Sequence, residues 1–115
     1  MTRRIGREEL RAALAGEAPP ALVEALPATH YEDGHLPGAI NIDHGDVERL
    51  APELLRDRSA PIVTYCAGLT CQNSEIAAAK LAAMGYEDVR AYAGGKADWI
   101  EAGLPLERGL APAVR

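Results

Sequence analysis

The sequence predicts an α/β domain with a mainly parallel central sheet of about five strands, flanked by helices on both faces. Three observations carry this prediction. Short β-rich runs alternate with segments of helical periodicity. The runs are apolar at nearly every position, as strands covered on both faces are. Gly and Pro punctuate the junctions between them. The chain has 115 residues, enough for one domain over residues 1–115 with a real core. Phe is absent and aromatics make up 4%, so Leu, Val, Ile and Ala must build that core.

Residues 6–14 read as a first helix, with Leu10, Ala13 and Leu14 on one face and Gly16 as its stop. Pro19 and Pro20 break the chain. Residues 21–26 form a buried strand interrupted by one carboxylate, Glu24, and ended by Pro27. A short helical turn over 29–32 is closed by Asp33 and Gly34, and residues 39–42 make a short strand. A helix over 46–55 is bent or limited by Pro52. Residues 61–65 are the clearest strand, with Pro61 tolerated at its first position. The alanine-rich helix that follows is capped by Asn73 or Ser74, carries Ile76, Ala77, Leu81 and Met84 on one face, and stops at Gly85. Residues 89–92 form another strand. Gly94 and Gly95 turn the chain into a last helix over 96–102, closed by Gly103 before Pro105. Residues 106–115 carry no clear signal and are expected to fray.

Composition narrows the function. The charged fraction is 25%, the apolar fraction 48% and the net charge −5. That balance offers no general attraction to nucleic acid or an anionic membrane surface. No run approaches the ~20 apolar residues of a membrane span. The basic N-terminus, including Arg3-Arg4, lacks the apolar follow-on of a secretory signal. A cytoplasmic location is expected. There, two cysteines more often do chemistry than serve as a staple.

Cys66 is the most informative residue. It ends the clearest strand and precedes a small polar loop, Ala67-Gly68-Leu69-Thr70-Cys71-Gln72-Asn73-Ser74, that feeds a helix N-terminus. In a parallel sheet, ligands sit beyond the carboxyl ends of the strands. Loop N–H groups and a helix dipole there favour negative charge, so a thiolate is expected at Cys66. Ala67 and Gly68 let backbone approach the sulfur, and Thr70, Asn73 and Ser74 add donors. The alternative is an inert, buried thiol.

Three segments then line up with one family. Gly34-His35-Leu36-Pro37-Gly38-Ala39-Ile40-Asn41 resembles the Gly-His-aliphatic-Pro-Gly-Ala segment near the front of rhodanese domains. Tyr65-Cys66 and its loop resemble that family's cysteine loop. The stretch from Gly94-Gly95 through Trp99 to Gly103-Leu104-Pro105 is similar to its closing segment. The resemblance runs over about residues 21–106, in matching order and spacing. It implies a single rhodanese-like α/β domain that moves sulfane sulfur through a cysteine persulfide, with Cys66 at the catalytic position. It also implies a small sulfur donor, thiosulfate or a persulfide, and a thiol acceptor, either small or on a protein. Neither cofactor nor metal is called for.

The chain departs from the family in three ways. The usual Asp-x-Arg at the end of the first strand is matched by Glu24-Ala25-Leu26, which keeps the carboxylate and loses the arginine. The cysteine loop is about two residues longer, with no Lys or Arg between Cys66 and Ser74. It gains Cys71. Thiosulfate is a dianion that prefers a positive pocket. A persulfide carrier or redox-sensing module with little thiosulfate activity is therefore the alternative to a sulfurtransferase. Cys71 is either its resolving thiol, closing a reversible loop disulfide, or a small loop residue without chemistry. Lys80, Arg90 and Lys96 are the cations left to reach the site. Phosphatase-like chemistry uses Cys-x5-Arg, and Gln72 stands where that arginine would be.

Other residues have simpler readings. His30, His35 and His44 lack metal-ligand spacing with the cysteines, and His35 is expected to tie a turn. Glu24 needs a partner or an exposed strand end; a structural salt bridge or a turn-stabilising role is the favoured reading, with a role in the site as the alternative. Trp99 is expected in the core.

Overall fold

A computed structural model describes residues 3–109. Five strands, β1 (Arg3–Arg4), β2 (Ala21–Glu24), β3 (Ile40–Asn41), β4 (Ile62–Tyr65) and β5 (Val89–Tyr92), form one sheet in the order β1-β5-β4-β2-β3. Every pairing is parallel. Parallel neighbours require crossover connections, and helices supply them: α1 (Arg7–Leu14), α2 (Ala28–Asp33), α3 (Val47–Leu54), α4 (Asn73–Ala83) and α5 (Gly95–Glu101). None of the described helices is long and apolar enough to cross a membrane.

The alternation of side chains along each strand builds two cores. Val23, Ile62, Val89 and Ala91 face α3 and α4, packing on Val47, Ala51, Ala77, Ala78 and Leu81. Leu22, Val63, Tyr65 and Tyr92 face the other way, onto Leu10 of α1, Tyr31 of α2 and Trp99 of α5. The sheet is covered on both faces, which is why its strands read as continuous apolar runs.

Several boundaries differ from the sequence prediction. β2 stops at Glu24, two residues early, although the Ala25 N–H still donates to Tyr65 O at 2.8 Å. The helix expected from 46 is a 3-10 turn (His44–Asp46) continued by α3, with Pro52 inside the helix. The cap expected at Asn73 or Ser74 is absent: Gln72 occupies the N-cap without a side-chain bond. Ile76, expected in the core, is 40% exposed, and Ala78 takes the inward place. Residues 106–109 do not fray. His35 and Glu107 exchange two backbone hydrogen bonds at 2.8 Å, and Leu106 packs against the α1/α5 core. The rest of the expected frayed tail lies outside the described residues. β1 was not predicted at all, because two exposed arginines carry no strand signal.

Register sets the site. Glu24, Tyr65 and Tyr92 are aligned across β2, β4 and β5, one residue before Cys66. Glu24 is fully buried. Tyr65 Oη donates to its Oε1 at 2.8 Å, and Lys96 Nζ donates to its Oε2 at 3.0 Å and to His30 O at 3.0 Å. The Leu36 N–H donates in turn to Tyr65 Oη. The salt bridge expected for Glu24 is therefore present, and its partner is Lys96. His35 ties its turn as expected: Nδ1 lies 2.8 Å from Tyr31 O and the two rings stack. Trp99 is in the core, with Nε1 donating to Pro105 O at 2.8 Å.

Removing one member of a buried ion pair strands the other, so Lys96→Ala is expected to lower stability by about 3 kcal/mol in urea titration. Burial and the neighbouring Glu24 charge push the Tyr65 hydroxyl far above its ordinary pKa. Burial also raises Tyr31 and Tyr92. Folded values above the unfolded tyrosine value of about 10 give stability that is complete below that pH and lost as pH rises through the folded values. The urea midpoint should fall above roughly pH 10, and fall less in Tyr65→Phe.

Candidate functional site

Cys66 leaves the carboxyl end of β4, the central strand, and the loop over residues 67–72 carries the chain into α4. Backbone holds this loop from below. The Lys96 N–H donates to Cys66 O at 2.9 Å, and the Ala97 N–H donates to Ala67 O at 2.8 Å. So close an approach requires glycine at Gly95. Its φ is +62°, and a Cβ there would lie 2.5 Å from the Cys66 carbonyl oxygen. Gly68 sits against α5 as well, where a Cβ would meet Ala97 Cβ at 3.3 Å. From the other side, Thr64 Oγ1 donates to Ser74 O at 2.8 Å, tying β4 to the first turn of α4.

The structure does not place Cys66 as an exposed, activated thiolate. The residue is 2% exposed, and its Sγ donates to Cys71 O at 3.3 Å. Burial pushes the thiol up, and its hydrogen bond to the Cys71 side chain pushes the same way. The Ser74 N–H and hydroxyl are aimed at the sulfur and oppose this without reversing it. Ser74 is thus a donor to Cys66 rather than a helix cap, and it is buried. The physical reason for the correction is desolvation: two donors from one residue do not replace the water that a thiolate loses.

Cys71 behaves oppositely. It is half-buried. Burial works against its ionisation, but the neighbouring Cys66 side chain and the Ala67 and Asn73 N–H groups prevail and hold it below the ordinary thiol value. Two donors that the sequence assigned to Cys66, the Ala67 amide and Asn73, therefore serve Cys71. The Cys71 N–H itself donates to Gly68 O, curling the loop so that the two thiols meet.

Two cavities flank the loop. One, of about 440 Å³, lies between Ala67, Gly68, Leu69 and Thr70 and the α5 side, where Ala97, Asp98 and Glu101 line it. The other, of about 520 Å³, is lined by Cys71, Gln72, Leu69, Arg4, Glu75 and Ile76. Cys66 lines neither. Leu69 stands at the loop tip, 82% exposed. The three cations proposed for the site are engaged elsewhere. Lys80 bonds His44 O and Glu48, Arg90 pairs with Glu9 and Asp88, and Lys96 holds Glu24. Arg4 of β1, paired with Glu75, lines a cavity together with Cys71. Sequence reasoning missed it because nothing local places an N-terminal arginine beside residue 71. Among the described residues, no three His, Cys, Asp or Glu side chains converge as a metal-ligating group.

Iodoacetamide labelling across pH, read by peptide mass spectrometry, should show Cys71 reacting with a midpoint below the free-thiol value of about 8.5 and Cys66 with one above it. Gly95→Ala should cost at least ~1–2 kcal/mol from the left-handed backbone alone. It should also make Cys66 alkylate faster at fixed pH, because the added methyl must displace the loop.

Residues 7–102 match the rhodanese-like domain family. Over 102 residues the chain is 37% identical to an HTH-type transcriptional regulator, Rv0324, of Mycobacterium tuberculosis. That match covers 89% of this chain and 43% of the regulator, so the chain spans under half the length of this curated relative. Among solved structures, it is similar to a thiosulfate sulfurtransferase from Pseudomonas aeruginosa, at 28% identity and a TM-score of 0.80, covering 99% of this chain and 22% of that one. It is also similar to the Alr3790 protein from Anabaena sp., at 28% identity and a TM-score of 0.81, covering 90% and 80% of the two chains. The human single-domain sulfurtransferase TSTD1 shares the fold at 22% identity, with a TM-score of 0.76 and coverage of 88% and 97%.

Proposed function

The chain belongs to the rhodanese-like domain family, and on that premise we propose that it is a sulfurtransferase that carries sulfane sulfur as a persulfide on Cys66. The observation that carries this reading is the position of that sulfur. It sits at the carboxyl end of the central parallel strand, with the Ser74 N–H and hydroxyl directed at it from the first turn of α4. In this reading Cys66 loses its proton as the loop loosens, and the thiolate takes the outer sulfur of a donor. Ser74 then hydrogen-bonds the persulfide anion. Reclosure of the loop shields that persulfide from water and stray thiols, and a thiol acceptor removes the outer sulfur. Glu24, Tyr65 and Lys96 hold the frame and stay out of the chemistry.

The donor class follows from charge. Among the described residues, no cationic side chain hydrogen-bonds Cys66, and Lys80, Arg90 and Lys96 are committed to other partners. A thiosulfate dianion finds no matching charge there, whereas an organic or protein persulfide needs none. A second reading is a persulfide carrier or sensing module. The 37% identity to a transcriptional regulator and the second loop thiol favour it.

Incubation with a persulfide donor should add the mass of one sulfur atom at Cys66, and Cys66→Ala should abolish sulfur transfer to an acceptor thiol. Thiocyanate formation from thiosulfate and cyanide should have a kcat/KM roughly tenfold or more below that with the persulfide, the worth of one missing charge-assisted hydrogen bond. A stable Cys66 persulfide with negligible turnover would select the carrier reading. No sulfur on Cys66 from either donor would reject both.

A further inference from the structure

The cavity-facing thiol of the loop is Cys71, while the thiol proposed to store sulfur is sealed. Cys71 lines the cavity of about 520 Å³ beside Arg4, Gln72 and Glu75, and the Cys66 side chain opens into neither cavity that flanks the loop. The Cys66 thiol donates to the Cys71 carbonyl oxygen at 3.3 Å, which holds the two residues together across the loop. The Ala67 and Asn73 N–H groups favour the Cys71 anion, and Cys71 is half-buried where Cys66 is sealed. A donor that arrives from solvent therefore meets a sulfur nucleophile at Cys71 before it meets one at Cys66.

We propose that Cys71 is the receiving thiol of a two-cysteine relay: it takes sulfane sulfur from the donor in the Arg4–Glu75 cavity and passes it to Cys66. This rests on the reading of Cys66 as the persulfide site. In the first step the Cys71 thiolate attacks the outer sulfur of a persulfide RS–SH. A Cys71 S–S bond forms, the donor S–S bond breaks, and RS⁻ leaves. In the second step Cys66 gives its proton to RS⁻, and its thiolate attacks the outer sulfur of the Cys71 persulfide. Cys66–S–SH forms and Cys71–S⁻ is regenerated. The sum is RS–SH plus Cys66–SH giving RSH plus Cys66–S–SH, with no net oxidation and no further reagent.

The relay also accounts for the length of the loop. Cα atoms within about 7 Å are needed for two cysteines to exchange bonds. The turn closed by the Cys71 N–H on Gly68 O brings residue 71 back over residue 66. The cavity wall carries the Arg4–Glu75 ion pair, whose two charges would exchange partners with the carboxylate and ammonium groups of an amino-acid thiol. Glutathione persulfide carries both groups and is the probe of choice.

The test is rapid-quench loading with glutathione persulfide, with the added sulfur located by tandem mass spectrometry in the full chain and in Cys66→Ser, Cys71→Ser and Cys71→Ala. In the unaltered chain, sulfur should appear on Cys71 before Cys66. Cys66→Ser should trap it on Cys71. Both Cys71 variants should load Cys66 at least about tenfold more slowly, since Cys66 then reacts only from the minor open state of the loop. Thermal unfolding confirms that each variant is folded, and trapping in Cys66→Ser is a readout that a merely structural Cys71 would not produce. Loading of Cys66 at the unaltered rate in the Cys71 variants, or no sulfur on Cys71 in Cys66→Ser, overturns the relay and leaves the Cys66 reading standing. A Cys66–Cys71 disulfide with release of sulfide also overturns it, and makes Cys71 a resolving thiol. Sulfur that never reaches Cys66 in the unaltered chain rejects the persulfide reading itself.

Discussion

The start of α5 is the point on which the architecture of the site depends. Within three residues it does three things. Gly95 adopts a left-handed conformation and lies against the Cys66 carbonyl with no room for a Cβ. The next two N–H groups hold the carbonyls of Cys66 and Ala67. The Lys96 side chain satisfies the buried Glu24 at the end of β2. One short segment thus joins the ends of β2 and β4 and the root of the cysteine loop. Lys96 and Gly95 act together: a displaced Gly95 would carry the lysine away from a carboxylate that has no access to water.

This frame explains the electrostatics of the loop. A parallel sheet collects chemistry at its carboxyl edge because helix N-termini converge there. Here those donors are divided between two sulfurs. Ser74 addresses Cys66, whereas the Ala67 and Asn73 amides address Cys71. Burial holds the Cys66 thiol above its ordinary pKa, and the Cys71 thiol is held below it.

The departures from the family pattern have local consequences. Loss of the arginine after Glu24 leaves a carboxylate that would be intolerable alone, and Lys96 and Tyr65 compensate for it from α5 and β4. With no Lys or Arg between Cys66 and Ser74, no cationic side chain among the described residues hydrogen-bonds Cys66. The N-terminal strand brings Arg4 to the outer side of the loop instead, beside Cys71.

Much of this was legible in the amino-acid sequence. The continuous apolar character of residues 21–24, 62–65 and 89–92 marks strands covered on both faces, and the motifs around His35, Cys66 and Trp99 mark the family. A charged residue in an apolar strand had to have a partner, and Glu24 has one. What local pattern could not reach was pairing at a distance. β1 is a strand only because β5 offers it an edge. Ser74 is drawn from a capping role by a sulfur eight residues away, Ile76 is exposed because Ala78 packs inward, and the stretch past Leu106 is held by His35. The sequence by itself determined that a cysteine would end the central strand and face a helix N-terminus. Only the tertiary structure decided which of the two thiols would be the acidic one. Ionisation depends on how much water a sulfur loses and which donors replace it, and those are set by packing between segments far apart in the chain.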